Sequence, residues 1–246
     1  MLNLYPLKRL SIFILLSWFL GLQSQSLSNN ALGIGLNRYG IGFSYHRTAF
    51  QSSPSINLRK PLGWSLDLGN IQHPKEIAVV NTVFQNAGSY KLDKINYVCV
   101  LRPGAMYRLA LSERKDRRAI GVDLLMSPGI AAAYCWPVFV TTLQVDASGN
   151  EYFANVKYNP EVHKPTEIAG RSGFSEGFSQ GSVIPALSLQ GGFSFHWGNY
   201  RSDVNTLTLG ARMDTYSKKL PILYHNAFNK SIFSSFYLNF AFGLGS

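Results

Sequence analysis

Bulky apolar side chains recur at every second position of the closing segment 234–246. Phe236, Leu238, Phe240, Phe242 and Leu244 alternate with Tyr237, Asn239, Ala241, Gly243 and Gly245. A period of two belongs to a β-strand with one apolar face and one small or polar face. The alternation returns in Leu62, Trp64, Leu66 and Leu68, in Ile120, Val122, Leu124 and Met126, in Leu187, Leu189, Phe193, Phe195 and Trp197, and in Leu207, Leu209, Ala211 and Met213. Near the start the phase slips: Leu32, Ile34 and Leu36 are apolar at even positions, and Tyr39, Ile41, Phe43 and Tyr45 at odd ones. A turn at 37–40 (NRYG) accounts for the slip. The pattern predicts eight strands near 30–37, 40–48, 56–70, 92–110, 117–134, 183–197, 202–216 and 231–245.

The connections fall into two classes. Those after strands two, four and six are short or moderate, while those after three, five and seven run to about 21, 48 and 14 residues, the asymmetry of an outer-membrane barrel with periplasmic turns and extracellular loops. A soluble, lipocalin-like barrel is the alternative, and it would turn its bulky face inward and carry Lys and Glu outside. Here the non-bulky face is mostly Gly, Ser, Ala and Thr. Its few charges have both signs: Asp67, Asp123 and Asp214 stand against Arg102, Arg108 and Arg212, with His46, His196, Gln190 and Asn239. Charges of opposite sign suit the lumen of a narrow barrel, where they must pair. The predicted fold is therefore an all-β, eight-stranded antiparallel up-and-down transmembrane barrel, with Asp67, Arg102, Arg108, Asp123, His196, Arg212 and Asp214 as its lumen network. Tyr39, Trp64, Trp136, Trp197 and Tyr200 are expected to form interfacial girdles.

The front of the chain adds location. Lys8 and Arg9 precede the uncharged run 11–22 (SIFILLSWFLGL) and the polar stretch QSQSLSNN, which reads as a secretory signal peptide over 1–24, cleaved between Gln23 and Ser26. The run is too short to span a bilayer as a helix, and no later stretch is long and apolar enough, so membrane entry requires a barrel over 25–246. The net charge of +10 becomes +8 once Lys8 and Arg9 are removed. In an exported chain a basic balance points either to anionic head groups or acidic partners rather than nucleic acid, or to simple solvated charge. The turn SERKDRR is a further basic site for such head groups.

Candidate chemistry is sparse. With the fourth and fifth strands joined near 113–116, residue 99 is expected to pair near 130, leaving Cys135 about 15 Å or more away at strand rise. A disulfide needs Cα atoms within about 7 Å, so two free thiols are predicted, Cys99 facing lipid and Cys135 near the outer rim. His73 and Glu76 of IQHPKEI, with Glu161 and His163 of YNPEVHKP, are acid, base or metal-ligand types, but their spacing carries no metal signature. They are read instead as packed and hydrogen-bonded at the rim and, with Lys75 and Arg171, as candidate contact residues of the loops 71–91 and 136–182. The barrel-wall groups His46, His196, His225 and Asp67 come with no GxSxG elbow, so no catalytic residue, metal or cofactor is assigned. The insertion 136–182 is long enough to be functional. A hairpin is expected with 138–145 and 152–156 flanking a turn at 146–150, followed by a segment that folds over or into the barrel mouth, sealing it or docking a partner.

RYGIGFSYHRTAF (38–50), QHPKE (72–76), LRPG (101–104) and YNPEVHKPTEIAGRSGF (158–174) resemble small outer-membrane β-barrel proteins of Bacteroidota. The resemblance spans most of the mature chain and implies a barrel in the outer membrane, with no catalytic residues to carry over. The expected role is a non-enzymatic structural or accessory component of an envelope biogenesis, secretion or anchoring complex, in contact with outer-membrane lipid and, through the long loops, with a protein complex. A barrel enzyme modifying envelope lipid and a soluble lipocalin-like carrier are the alternatives.

Overall fold

The computed structural model describes residues 28–49, 62–84, 87–112, 120–198 and 204–244. In chain order the strands are β1 (Ser28–Asn37), β2 (Gly40–Ala49), β3 (Leu62–Asn70), β4 (Ile77–Val80), β5 (Ser89–Leu92), β6 (Asn96–Ser112), β7 (Gly121–Pro137), β8 (Phe139–Val145), β9 (Glu151–Lys157), β10 (Ile168–Arg171), β11 (Ser182–Gly198), β12 (Val204–Tyr216) and β13 (Ile232–Leu244). Eight of them close an antiparallel barrel in the order β1-β13-β12-β11-β7-β6-β3-β2. Each barrel strand pairs with the barrel strands before and after it in the chain, and the seam joins first to last, from Asn30↔Leu244 to Asn37↔Tyr237. The eight predicted strands are these eight. Residues 56–61, 117–119 and 202–203, expected at strand starts, and residue 245, expected at a strand end, lie outside the described residues, as do the basic turn SERKDRR beyond Ser112, the signal segment 1–24 and Tyr200.

Alternation sets the faces. On β13, Phe233, Tyr237, Asn239 and Ala241 are buried, while Ile232, Phe236, Leu238 and Phe242 are exposed. On β11, Ile184, Ala186, Ser188, Gln190, Ser194 and His196 are buried, and Val183, Leu187, Leu189 and Phe193 are exposed. Glycine lets the wall curl this tightly. A Cβ on Gly129 would stand 2.3 Å from the Pro103 carbonyl oxygen, and one on Gly192 2.3 Å from that of Leu209.

The wall is not level. β6, β7 and β11 have 17 residues each, whereas β1 and β2 have 10 and β3 has 9. About 9–11 tilted residues cross a bilayer, and at the end where the long connections emerge residues 182–185 of β11 run past the end of β12 and 96–98 of β6 past the end of β3, so that side of the wall stands higher there. Two small sheets gather there, β4-β5 and β10-β8-β9. The β8-β9 hairpin is the one expected. Its turn is held by the Asp146 carboxylate, which accepts hydrogen bonds from the Ser148 and Asn150 backbone N–H groups at 2.8 and 2.9 Å. β4, β5 and β10 fall in segments read from the sequence as loop.

Candidate functional site

Alternation brings the polar positions of opposite walls face to face in the lumen. Arg102 reaches across to Asp214, its Nε 2.9 Å and its Nη2 2.8 Å from Asp214 Oδ2, and the Ser188 hydroxyl donates to Oδ1 at 2.6 Å. Arg212 donates to Gln190 Oε1 at 2.6 Å and lies 3.4 Å from Asp67 Oδ1, and the Gln190 amide donates to Asp67 Oδ2 at 3.1 Å. Two guanidinium groups thus face two carboxylates, so the centre of the lumen carries no net charge. Toward the end that holds the chain termini, Ser44 donates to Asn239 Oδ1 at 3.0 Å, and the Ser194 and Thr208 hydroxyls pair at 2.8 Å. The His196 ring bonds through Nδ1 to the Thr206 hydroxyl at 2.9 Å, while its Nε2 lies 2.9 Å from Asp123 Oδ2 without the alignment of a hydrogen bond. Arg108 points inward with its Nε unpartnered among the described residues. All seven residues named for the lumen therefore lie in it. The free space between Ser44, His46, Asp67, Gln190 and Arg212 amounts to about 20 Å3, room for about one water.

The mouth at the loop end is closed by the connection between β12 and β13. Leu220, Ile222 and Leu223 dip between the strand ends and are buried against Ile71, Val98, Val100, Ala133, Cys135 and Ile184. Backbone bonds clip the plug to the rim, with Ile95 N donating to Ile222 O at 3.0 Å and Tyr224 N to Asp93 O at 2.8 Å. Asn229 folds it from inside, its Oδ1 accepting from the N–H groups of Ile222 and Leu223 at 3.1 and 3.0 Å. The sequence assigned no role to LPIL (220–223). Its signal was present, since four apolar or proline residues in a connection break the polar habit of exposed turns.

The insertion after β7 does something else. It packs on the outside of the tall wall, where Tyr97 and Trp136, outward residues of β6 and β7, are buried with Tyr90, Val138, Val140, Tyr158 and Ile168. Phe174 and Phe178 pack edge-to-face with Trp136 at 5.1 and 5.4 Å between ring centroids, and the Trp136 indole N–H donates to the Phe174 carbonyl. Trp136 is 2 % exposed, so it belongs to the cap and not to a girdle. Tyr39 also turns to the mouth, its ring against Phe233. Trp64 with Tyr45, and Trp197 with Phe240, remain half-exposed on the wall near the end that holds the termini.

Two expectations about cysteine change. Cys99 pairs with Tyr134 in register, not with a residue near 130, so Cys99 and Cys135 are close in the sheet. Both are free because neighbouring positions on paired strands project to opposite faces. Cys135 is buried in the lumen plug, and Cys99 lies half-buried under the cap rather than facing lipid.

The loop contact residues divide. His73 is buried, and its Nδ1 accepts from the Lys75 backbone N–H at 3.2 Å, so Nε2 carries the proton and donates to Phe228 O at 3.1 Å. Glu76, its side chain 4 % exposed, pairs with Lys94 at 2.8 Å and accepts from His73 N at 2.7 Å. Burial lowers the pKa of both His73 and Lys94, for Lys94 against the opposing pull of Glu76. His73 and Glu76 are thus packed and hydrogen-bonded at the rim and do not offer the exposed contacts that are the other expectation for them. His163 accepts from Asn159 N at 3.1 Å and stacks on Tyr158, and Glu161 accepts from the Tyr224 hydroxyl. Lys75, Glu161 and Arg171 are exposed. No group of three or more His, Cys, Asp or Glu residues placed to hold a metal occurs among the described residues.

Outside, the barrel is apolar around its girth. Leu32, Ile34, Phe43 and Leu68 on one side, and Ile130, Leu187, Phe193 and Phe242 on the other, are all more than 40 % exposed, and Phe236 reaches 84 %. A closed eight-stranded barrel with a charge-neutral polar lumen and an apolar outer wall is the class the geometry defines. Among solved structures, that of Neisserial surface protein A is similar over 89 % of this chain and 94 % of that one, at 10 % identity and a TM-score of 0.37. No protein-family model and no curated protein matches the chain.

Proposed function

We propose that this chain is an integral outer-membrane barrel that conducts nothing and serves as a structural or accessory component of an envelope complex, presenting its cap to a partner. The reading rests on the outer wall. A continuous apolar belt of this extent is costly in water and marks a membrane or partner surface, and only a closed barrel satisfies every strand's backbone in lipid. The sealed lumen supports the non-conducting role, because a network of paired charges beneath an apolar plug leaves no aqueous path. It also argues against a carrier of apolar ligands, which needs an empty apolar lumen.

The test is refolding of the purified chain into lipid vesicles with gel migration read before and after boiling, then affinity isolation of a tagged copy from detergent-solubilised outer membranes. The expected results are a heat-dependent migration shift and a stoichiometric partner lost when 138–181 is replaced by a short turn. Migration that ignores heating refutes the membrane barrel, and a chain that always isolates alone refutes the accessory role. A second reading, a barrel enzyme acting on envelope lipid, is favoured by the grouping of Thr206, His196 and Asp123, a hydroxyl bonded to Nδ1 of an imidazole whose Nε2 lies 2.9 Å from a carboxylate oxygen. It requires that His196→Gln abolish a lipid modification in cells while the barrel still shifts on heating.

A further inference from the structure

We infer that the outer wall carries a site for an anionic phospholipid, its acyl chain lying in a groove over β11, β12 and β13 and its phosphate held by a cluster of cations at the loop-end rim. The inference rests on the membrane reading above and names a ligand for that surface. Two independent features meet there. The first is shape. Gly191 and Ala211 are register partners and both project outward, which leaves a dent between bulkier neighbours. Leu189 and Met213 stand on one side of it and Leu209 on the other, with Phe236 beside Ala211. The result is an open groove of about 860 Å3 that climbs across the wall to Ser234 and Arg38 at the rim. Elsewhere along these strands the outward positions are mostly filled by Leu, Met and Phe, so the dent is local.

The second feature is charge. The short β1-β2 turn brings Arg38 beside the start of β13, where the Tyr39 hydroxyl donates to Ser234 O at 3.1 Å. The returning plug loop adds Lys218, Lys219 and Lys230, held together because Leu220 N donates to Lys230 O at 2.9 Å and Tyr216 N to Ser231 O at 2.8 Å. Lys75 joins from the β3 side, its Nζ 3.7 Å above the Phe228 ring. All five cations are exposed, and the segment 217–231 contains no Asp or Glu. Glu76, the carboxylate in 71–76, is already committed to Lys94. The cap insertion is opposite in character: in 138–181, Lys157, Lys164 and Arg171 are outnumbered by Asp146, Glu151, Glu161, Glu167 and Glu176. The loop end is thus polarised, with Glu161 on Tyr224 at the boundary, and the positive half adjoins the top of the groove, where Arg38 forms part of the lining. Phosphate is the anion such a cluster takes at a bilayer surface.

The experiment uses the full chain refolded in a neutral detergent, with binding of phosphatidylglycerol and of phosphatidylcholine bearing identical acyl chains followed by native mass spectrometry. The expected result is a tenfold or greater preference for phosphatidylglycerol. Arg38→Gln combined with Lys218→Gln, Lys219→Gln and Lys230→Gln is expected to bring the two lipids to parity. Gly191→Leu is expected to weaken phosphatidylglycerol binding about tenfold by filling the dent; a Cβ there lies 3.5 Å from the Leu125 oxygen, an ordinary contact, so the wall accepts it. Equal affinity for the two lipids in the unaltered chain, or unchanged binding in Gly191→Leu, overturns the site. A chain that enters vesicles and shifts on heating but has no head-group preference loses this inference alone, and one that does neither loses the membrane reading with it.

Discussion

Asp214→Ala tests whether the lumen is held together by its paired charges. Asp214 is 2 % exposed and Arg102 6 %, so the substitution strands a guanidinium that water does not reach and removes the acceptor of the Ser188 hydroxyl as well. Breaking a buried ion pair from one side costs about 3–5 kcal/mol, or roughly two to four powers of ten in the folded-to-unfolded ratio at about 1.4 kcal/mol for each. Removing both charges together, as Arg102→Met with Asp214→Leu, leaves no stranded group and replaces the pair by packed apolar volume. That exchange is commonly neutral or stabilising. The assay is a reversible urea titration of the chain refolded in detergent micelles, followed by tryptophan fluorescence and by migration without boiling. The single variant is expected to lose at least about 3 kcal/mol, and the double variant to recover most of it. A single variant within about 1 kcal/mol of the parent, or a double variant as unstable as the single, refutes the reasoning. Either result means that the centre of the lumen is wet enough to screen the charges.

Three further outcomes concern the cap. Burial depresses the His73 pKa, so the folded form binds fewer protons than the unfolded one; its contribution is complete above the unfolded value of about 6.5 and declines as pH falls through the lowered folded value. Hydrogen exchange of the 217–231 amides, corrected for intrinsic rates, is expected to quicken below about pH 6.5, and His73→Asn is expected to remove that dependence. Trp136→Ala, which opens a void among Tyr97, Tyr134, Phe174 and Phe178, is expected to cost the cap about 3–5 kcal/mol. Protease should then cut 172–181 while the barrel still shifts on heating, and continued resistance there shows that the aromatic cluster does not anchor the insertion. In the folded chain both Cys99 and Cys135 are expected to resist a water-soluble maleimide and to react only after denaturation, whereas rapid labelling of Cys135 in the native state means that the mouth is open.

The barrel was legible in the sequence because its determinant is local. A strand that meets lipid on one face and a narrow lumen on the other must alternate, and Phe236 to Leu244 or Leu187 to Trp197 do so without help from the rest of the chain. The lumen charges were legible for the same reason, since Asp67, Arg102, Arg212 and Asp214 stand at polar-face positions, though which carboxylate meets which guanidinium depends on shear and does not show in one strand at a time. The loop end resisted because its determinants are not local. Trp136 has the outward phase of a girdle residue, and only the height of its strand above the belt, with the aromatic segment that returns to cover it, makes it a core residue of the cap. The β6-β7 register departs from the expected one because Ser112 already stands opposite Val122, later than a turn at 113–116 allows, and the bulge between Ala110 and Ser112 takes back only one residue of the difference. A shift of four residues carries Cys99 from opposite residue 130 to opposite Tyr134.

The seam between β1 and β13 has a consequence in time. It joins the two ends of the described chain, with Leu32 opposite Phe242 and Ser44 of the neighbouring β2 bonded to Asn239 across 195 positions, so no closed wall exists until the last strand has been delivered. Contacts of such sequence separation are slow to form, because the entropy of closing the loop is lost before the contacts stabilise it. Until then β1 and the growing edge expose unpaired N–H and C=O groups, the kind of edge that recruits foreign strands. β6 and β7, the longest hairpin and the one that carries the cap, are neighbours in sequence and need not wait. Assembly therefore has a natural order, with the tall hairpin and its cap first and the seam last. The interval between them is when the chain is most exposed to mispairing and most in need of a chaperone or an insertion machine.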